Sequence, residues 1–159
     1  MPRQVSATFL LRIVQPGILG LIDGSISTLA PLFSTVLLTH VPFDAFRVGA
    51  ATATGAGISM ALSEALSDDG KITGRGNPWL RGLVVGGMTM AGGIGHTLPF
   101  LIPVEHIALV VAAIVIVCEL FAIAFIRHHF FQTAWKFSLA QVFLGGALVV
   151  AAGIFFGGV

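Results

Sequence analysis

The sequence predicts an all-α membrane protein with five transmembrane helices, and two observations predict it. The first is composition. Mean hydropathy is +0.99, and charged residues make up 9% of the chain, against about a quarter in an ordinary soluble domain. The second is the spacing of apolar residues. Five runs, at about 18–38, 46–66, 80–102, 107–126 and 137–156, approach the roughly 20 residues that a helix needs to cross a bilayer. None alternates with the period of two expected of a membrane barrel strand. Residues 1–159 therefore read as a single transmembrane domain. No internal repeat is evident, and an odd number of spans does not divide into two equal inverted halves.

Each run has local punctuation. Pro16-Gly17 opens the first. The stretch 5–14 ahead of it is apolar but interrupted by Arg12, so it reads as either a short interfacial helix or an extension of the first span. No small-residue cleavage pattern follows it, and no cleaved signal peptide is expected. The second run carries Gly49, Ala53 and Gly57 at four-residue spacing, a small-xxx-small pattern that lets two helices approach closely. Asn77-Pro78 opens the third, whose glycines (Gly82, Gly86, Gly87, Gly92, Gly93, Gly95) suit backbone contact or bending. The fourth contains the sole cysteine, Cys118, read as a small packing residue, so no disulfide forms within the chain.

The loops predict orientation. Arg3, Arg12, Lys71, Arg75, Arg81, Arg127 and Lys136 fall on one side, and only Arg47, beside Asp44, on the other. The positive-inside rule then puts the N-terminus in the cytoplasm and the C-terminus outside. Trp79 and Trp135 fall at the cytoplasmic ends of the third and fifth spans, as interfacial tryptophans do.

Against this apolar background three acids stand out: Asp23, Glu64 and Glu119. A charge at membrane depth costs roughly 2.5–3.5 kcal/mol on insertion scales and reads by default as functional. Asp23 has no Lys or Arg in its own run. The topology places all three acids in the cytoplasmic half, at similar depth, where they are candidates to converge. Asp23, Ser27, Pro31 and Ser34 recur every three or four residues and share one helix face, which reads as a cation path lined by Ser27 and Ser34, or as hydroxyls gluing helices together. Met60 precedes Glu64 by one turn, so a soft thioether and a hard carboxylate point the same way; that mixture suits a transition metal better than Na⁺ or Mg²⁺, the alternative being that Met60 fills the core. Asp68 and Asp69 form either a cation-collecting mouth or ordinary turn chemistry in Ser67-Asp68-Asp69-Gly70-Lys71. His96 and Glu119 are further candidates for entry or proton relay, His96 alternatively bonding a carbonyl in a glycine-rich crossing.

Several classes are excluded. A net charge of +1 without basic–aromatic patches points away from nucleic acid. There is no nucleophile elbow, Walker loop, HExxH or CxxC pair, hence no enzyme, bound cofactor or nucleotide-driven pump is expected.

The segment Gly20-Leu21-Ile22-Asp23-Gly24-Ser25-Ile26-Ser27-Thr28-Leu29 resembles the first-helix motif of the vacuolar iron transporter family. Ser59-Met60-Ala61-Leu62-Ser63-Glu64-Ala65-Leu66-Ser67 resembles its second-helix motif. The run from Leu66 to Gly76 is similar to the bacterial branch whose membrane part is often fused to a ferritin-like domain. The resemblance implies a homodimer of five-helix subunits in a bacterial inner membrane, with the ion path between subunits. It also implies export of Fe²⁺, often with Mn²⁺, coupled to inward proton movement. Asp23, Met60 and Glu64 match the path-lining metal positions. The chain departs from the eukaryotic pattern, which inserts a Glu-rich metal-collecting domain after the second span; only a short loop from Ser67 to Trp79 stands there, and no ferritin-like segment precedes the first span. Metal capture is then expected from Asp68, Asp69 or a partner, or is weak. Two other readings remain: a non-transporting membrane assembly subunit, and a proton-coupled carrier of another cation. An organic cation would want an aromatic cage near Asp23, and the nearest aromatic along that helix is Phe33.

Overall fold

The computed structural model describes residues 6–158, so Arg3 lies outside the described residues. All regular structure among them is helical. We number five helices in chain order.

Helix α1 runs from Ala7 to Thr39, so the stretch ahead of Pro16 extends the first span. Pro16 offers no N–H to the Arg12 carbonyl and its ring crowds it. The preceding turn widens into a π-helical segment, Leu10–Val14, in which the Gln15 N–H reaches back to the Leu10 carbonyl. A second proline has a second effect. Pro31 cannot bond the Ser27 carbonyl, and α1 breaks at Thr28 into halves Gln15–Ser27 and Leu29–Thr39. At the break the Thr28 N–H turns to the Ile26 carbonyl, and the Thr28 hydroxyl donates to the Gly24 carbonyl at 2.9 Å.

Helix α2 is Pro42–Ser67, with proline in its first turn, where a missing N–H is harmless. Helix α3 is Pro78–Gly95, and the Asn77 side-chain oxygen accepts from the Trp79 and Leu80 N–H groups at its start. The third run, expected to continue to 102, stops at Gly95 and gives way to a 3₁₀ turn, Leu98–Leu101. Pro99 has no N–H for the Gly95 carbonyl, and glycine is a poor helix former. Helix α4, Glu105–Phe131, is longer than expected and ends at Gln132 in the left-handed region (φ 54°). Helix α5 is Trp135–Gly157.

Three helices, α1, α4 and α5, are long and apolar enough to cross a bilayer, not the expected five. The physical reason is composition. Helix α2 spends its length on Gly, Ala, Ser and Thr and carries Asp44, Arg47 and Glu64, while α3 has only 18 residues and Arg81 among them.

Helix α3 sits between α1 and α2. It runs parallel to α1, with Gly20 against Val85 and Gly24 against Thr89, and antiparallel to α2, with Gly57 against Gly86. The small-xxx-small stripe of α2 behaves as expected: Gly49, Ala53 and Gly57 are all buried. A Cβ on Gly86 would stand 2.5 Å from the Gly57 carbonyl oxygen, so this crossing is backbone on backbone. Helix α5 lies along the second half of α1, and α4 packs antiparallel to α5, closing an aliphatic core of Ile18, Leu29, Ile116, Leu120, Ile123 and Val142.

Candidate functional site

The polar side chains inside the bundle lie at three levels along α3. At its start, Arg81 is fully buried. Its Nε donates to Glu64 Oε1 at 2.7 Å and its Nη2 to Asp68 Oδ2 at 3.2 Å. Arg75 reaches the same carboxylates, Nη2 to Glu64 Oε1 at 3.0 Å and Nη1 to Asp68 Oδ2 at 4.0 Å. Arg81 also donates to the Gly76 carbonyl at 3.1 Å, which ties the 68–77 loop over the cluster. Glu64 is therefore not an isolated acid. Two cations compensate it, and burial of the group follows the rule that interior charges are paired.

Asp68 belongs to this cluster and not to an open, cation-collecting mouth. Its Oδ1 accepts the Gly70 N–H at 2.6 Å and its Oδ2 the Thr73 hydroxyl at 2.8 Å. The Gly70 N–H and then the Thr73 hydroxyl hold its carboxyl below the usual carboxylate range; burial opposes them, and the Arg81 and Arg75 charges add smaller lowering effects. A depressed carboxyl stabilises the fold above its ordinary value of 3.8, and that contribution is lost as pH falls through the lower folded value. Hydrogen exchange at the Gly70 amide should accordingly stay protected down to mildly acidic pH and be released only below that value. Release already near pH 5 to 6 would contradict the assignment. Asp69 is exposed, accepts the Lys71 N–H at 2.9 Å and lies 4.0 Å from the Lys71 ammonium, which is turn chemistry with Gly70 in the left-handed region (φ 75°).

Asp23 occupies the middle level. It lies between Gly20 and Gly24, which meet Val85 and Thr89, so it stands roughly 10–12 Å along α3 from the levels of Arg81 and His96. It is half-buried, with no hydrogen bond or ion pair among the described residues. The other six acids each pair: Asp44 with Arg47, Glu64 and Asp68 with the two arginines, Asp69 with Lys71, Glu105 with His40 and Glu119 with His96. Ser27, one turn on, is exposed. Ser34 does not continue that environment, because its backbone lies against Gly157 of α5. Met60 is half-buried one turn before Glu64.

The third level is at the far end of α3. His96 is fully buried; Nε2 lies 2.6 Å from Thr28 Oγ1 and Nδ1 lies 2.8 Å from Glu119 Oε2. Gly95 makes room for the carboxylate, since a Cβ there would collide with Glu119 Oε1. Sequence gave Glu119 no polar neighbour along its helix apart from Cys118, and a depth shared with Glu64. The structure pairs it with His96, fifteen residues beyond Arg81 on α3 and therefore about 22 Å from the Glu64 level. Helix α4 extends beyond the expected 126 to Phe131, which moves Glu119 from its inner half to its middle.

Within one chain, then, the three acids do not converge, and no group of three or more His, Cys, Asp or Glu side chains among the described residues is arranged to hold a metal. An apolar groove of about 420 Å³ between α2 and α3, lined by Ile58, Leu62, Trp79, Leu83 and Met90, offers a cation no carboxylate, imidazole or hydroxyl. Sequence reasoning missed Arg75, Arg81 and Thr28 as site residues. A signal existed for Arg81: Glu64 and Arg81 are equidistant from Ile72-Thr73, as partners across an antiparallel helical hairpin must be. No protein-family model, curated protein or solved structure matches this chain.

Proposed function

We propose that this protein exports a divalent transition metal, Fe²⁺ or Mn²⁺, from the cytoplasm in exchange for protons, as a homodimer with the metal path between its two copies. The observation that carries the reading is Asp23, the one acid of seven with no partner among the described residues, in a helix long and apolar enough to cross a bilayer. Helices α2 and α3 cross beside α1, α4 and α5, their less apolar faces turned toward one another. The N-terminus is cytoplasmic and the C-terminus outside, in a bacterial inner membrane.

A second copy is supported by what one copy leaves uncovered. Ser27 on α1 and Ser59 and Ser63 on α2 are exposed, with no hydrogen bond to their hydroxyls among the described residues, and facing lipid they would find none. Paired across a dimer axis, that surface brings two copies of Asp23 and Met60 to one path. Carboxylate and thioether ligands together suit Fe²⁺ or Mn²⁺. Carboxylates bind metal only when deprotonated, so metal entry displaces protons and external protons drive release. Glu64 joins as a ligand when Arg75 and Arg81 let go of it. As long as the two arginines hold it, that end of the path stays closed.

Purified protein in liposomes should carry Fe²⁺ or Mn²⁺ with a pH-dependent rate. Asp23→Asn should lower that rate by at least tenfold, and Glu64→Gln should lower it too. Near-normal transport by both variants would sink the proposal, and competition between metals in the same assay would rank them.

A further inference from the structure

Hydrogen-bond donors at His96 can be counted, and the count leaves one proton to be placed. The Thr28 hydroxyl has a single hydrogen. We assign it to the Gly24 carbonyl, at 2.9 Å, because that carbonyl has lost its helical donor where the Thr28 N–H turns to Ile26 at the break. The 2.6 Å contact between Thr28 Oγ1 and His96 Nε2 therefore takes its hydrogen from the ring. With Nε2 as the donor, a neutral imidazole has a bare Nδ1. That nitrogen lies 2.8 Å from Glu119 Oε2, and two bare acceptors do not approach so closely. One more hydrogen lies between them, either on Nδ1 as imidazolium facing carboxylate, or on Glu119 as a neutral acid facing neutral imidazole. In both forms the pair has no net charge, which is the state a buried group in an apolar bundle favours.

The geometry points to His96 and Glu119 as a buried proton-binding site that closes the break in α1. Unloading that proton leaves Nδ1 and Oε2 with nothing between them. Either α4 draws away from the end of α3, or the ring shifts its hydrogen to Nδ1. In the second case Nε2 becomes an acceptor, and the Thr28 hydroxyl must swing from the Gly24 carbonyl to meet it. The break then loses the bond that replaces its missing helical one. Other ionisable groups on the packed helices are Arg12 and Asp23 on α1, Asp44, Arg47 and Glu64 on α2, Arg81 on α3, Glu105, His106, Cys118, Arg127, His128 and His129 on α4 and Lys136 on α5. None of them bonds His96 or Glu119 among the described residues. The inference does not depend on metal export: a chain that moves no metal would still hold the proton.

The test is ¹⁵N and ¹³C magnetic resonance on the full chain in lipid nanodiscs. The four exposed histidines, His40, His106, His128 and His129, are replaced by glutamine so that His96 is the only imidazole. Near pH 7 the expected spectrum has a protonated Nε2 and one further hydrogen, on Nδ1 or on the Glu119 carboxyl. Glu119→Gln should leave a neutral ring with Nε2 protonated and the amide donating to Nδ1. A bare Nε2, or a neutral ring facing an ionised Glu119, overturns the inference. If Glu119→Gln does not fold, the two ring nitrogens and the carboxyl signal of the single-histidine chain decide alone.

Discussion

Arg81→Ala should be the most damaging single substitution in the bundle, lowering stability by about 3–5 kcal/mol, the usual cost of removing one partner from a buried ion pair. Arg81 is fully buried and its guanidinium reaches Glu64, Asp68 and the Gly76 carbonyl. Without it, the α2 carboxylate keeps only Arg75 for company, and the 68–77 loop loses its tie to α3. Arg81→Lys should recover only part of the loss, because an ammonium cannot span three acceptors in one plane as the guanidinium fork does. Thermal unfolding in detergent, read as the loss of a monodisperse species, measures both. Wild-type stability in the alanine variant would mean that the cluster is solvated and its ion pairs count for little.

Gly24→Ala should destabilise by about 1–3 kcal/mol, the range for overpacking a close contact. Alanine is the better helix former by about 1 kcal/mol, so in open surroundings the substitution would help. At Gly24 a Cβ would collide with the Thr89 carbonyl, which belongs to the backbone of α3 and cannot rotate away. The two helices would have to separate along the crossing that fixes the level of Asp23. Gly87→Ala is the counterpart. A Cβ there meets nothing within 4 Å, so the same change should be neutral or stabilising. The opposite signs of two Gly→Ala substitutions in neighbouring helices are the outcome to look for, and equal signs would contradict the backbone crossing.

Much of the helical plan is legible in the residues themselves. The apolar runs, the proline at the head of α2 and the Asn77-Pro78 start of α3 mark elements that depend on local chemistry. The small-residue stripe of α2 was readable because a four-residue period survives any tertiary arrangement. What local reading could not supply was partnership. Glu64 looks isolated within its helix because Arg75 and Arg81 come from the next loop and helix. Glu119 looks isolated because His96 lies across the bundle, and because Pro99 ends α3 earlier than hydropathy suggests. Asp23 is the instructive contrast. It looks unpaired in sequence and has no partner among the described residues of the structure either, since α3 presents glycines and Thr89 to its level in place of a cation. Counting spans by apolar length failed for a related reason. In α2 and α3 the residues that permit close packing are the same residues that lower hydropathy.

That last feature bears on how the chain enters a bilayer. In the five-span arrangement proposed above, helices α1, α4 and α5 can partition on their own apolarity, while α2 and α3, with Glu64 and Arg81 inside, are costly passengers one at a time. Synthesis order places them directly after α1. Joined by the short 68–77 loop, they can enter as a neutralised hairpin, carboxylate already on guanidinium, and settle against an α1 that is waiting in the membrane. On this view the ion cluster matters first during biogenesis, as a way of carrying two poorly lipophilic segments across together.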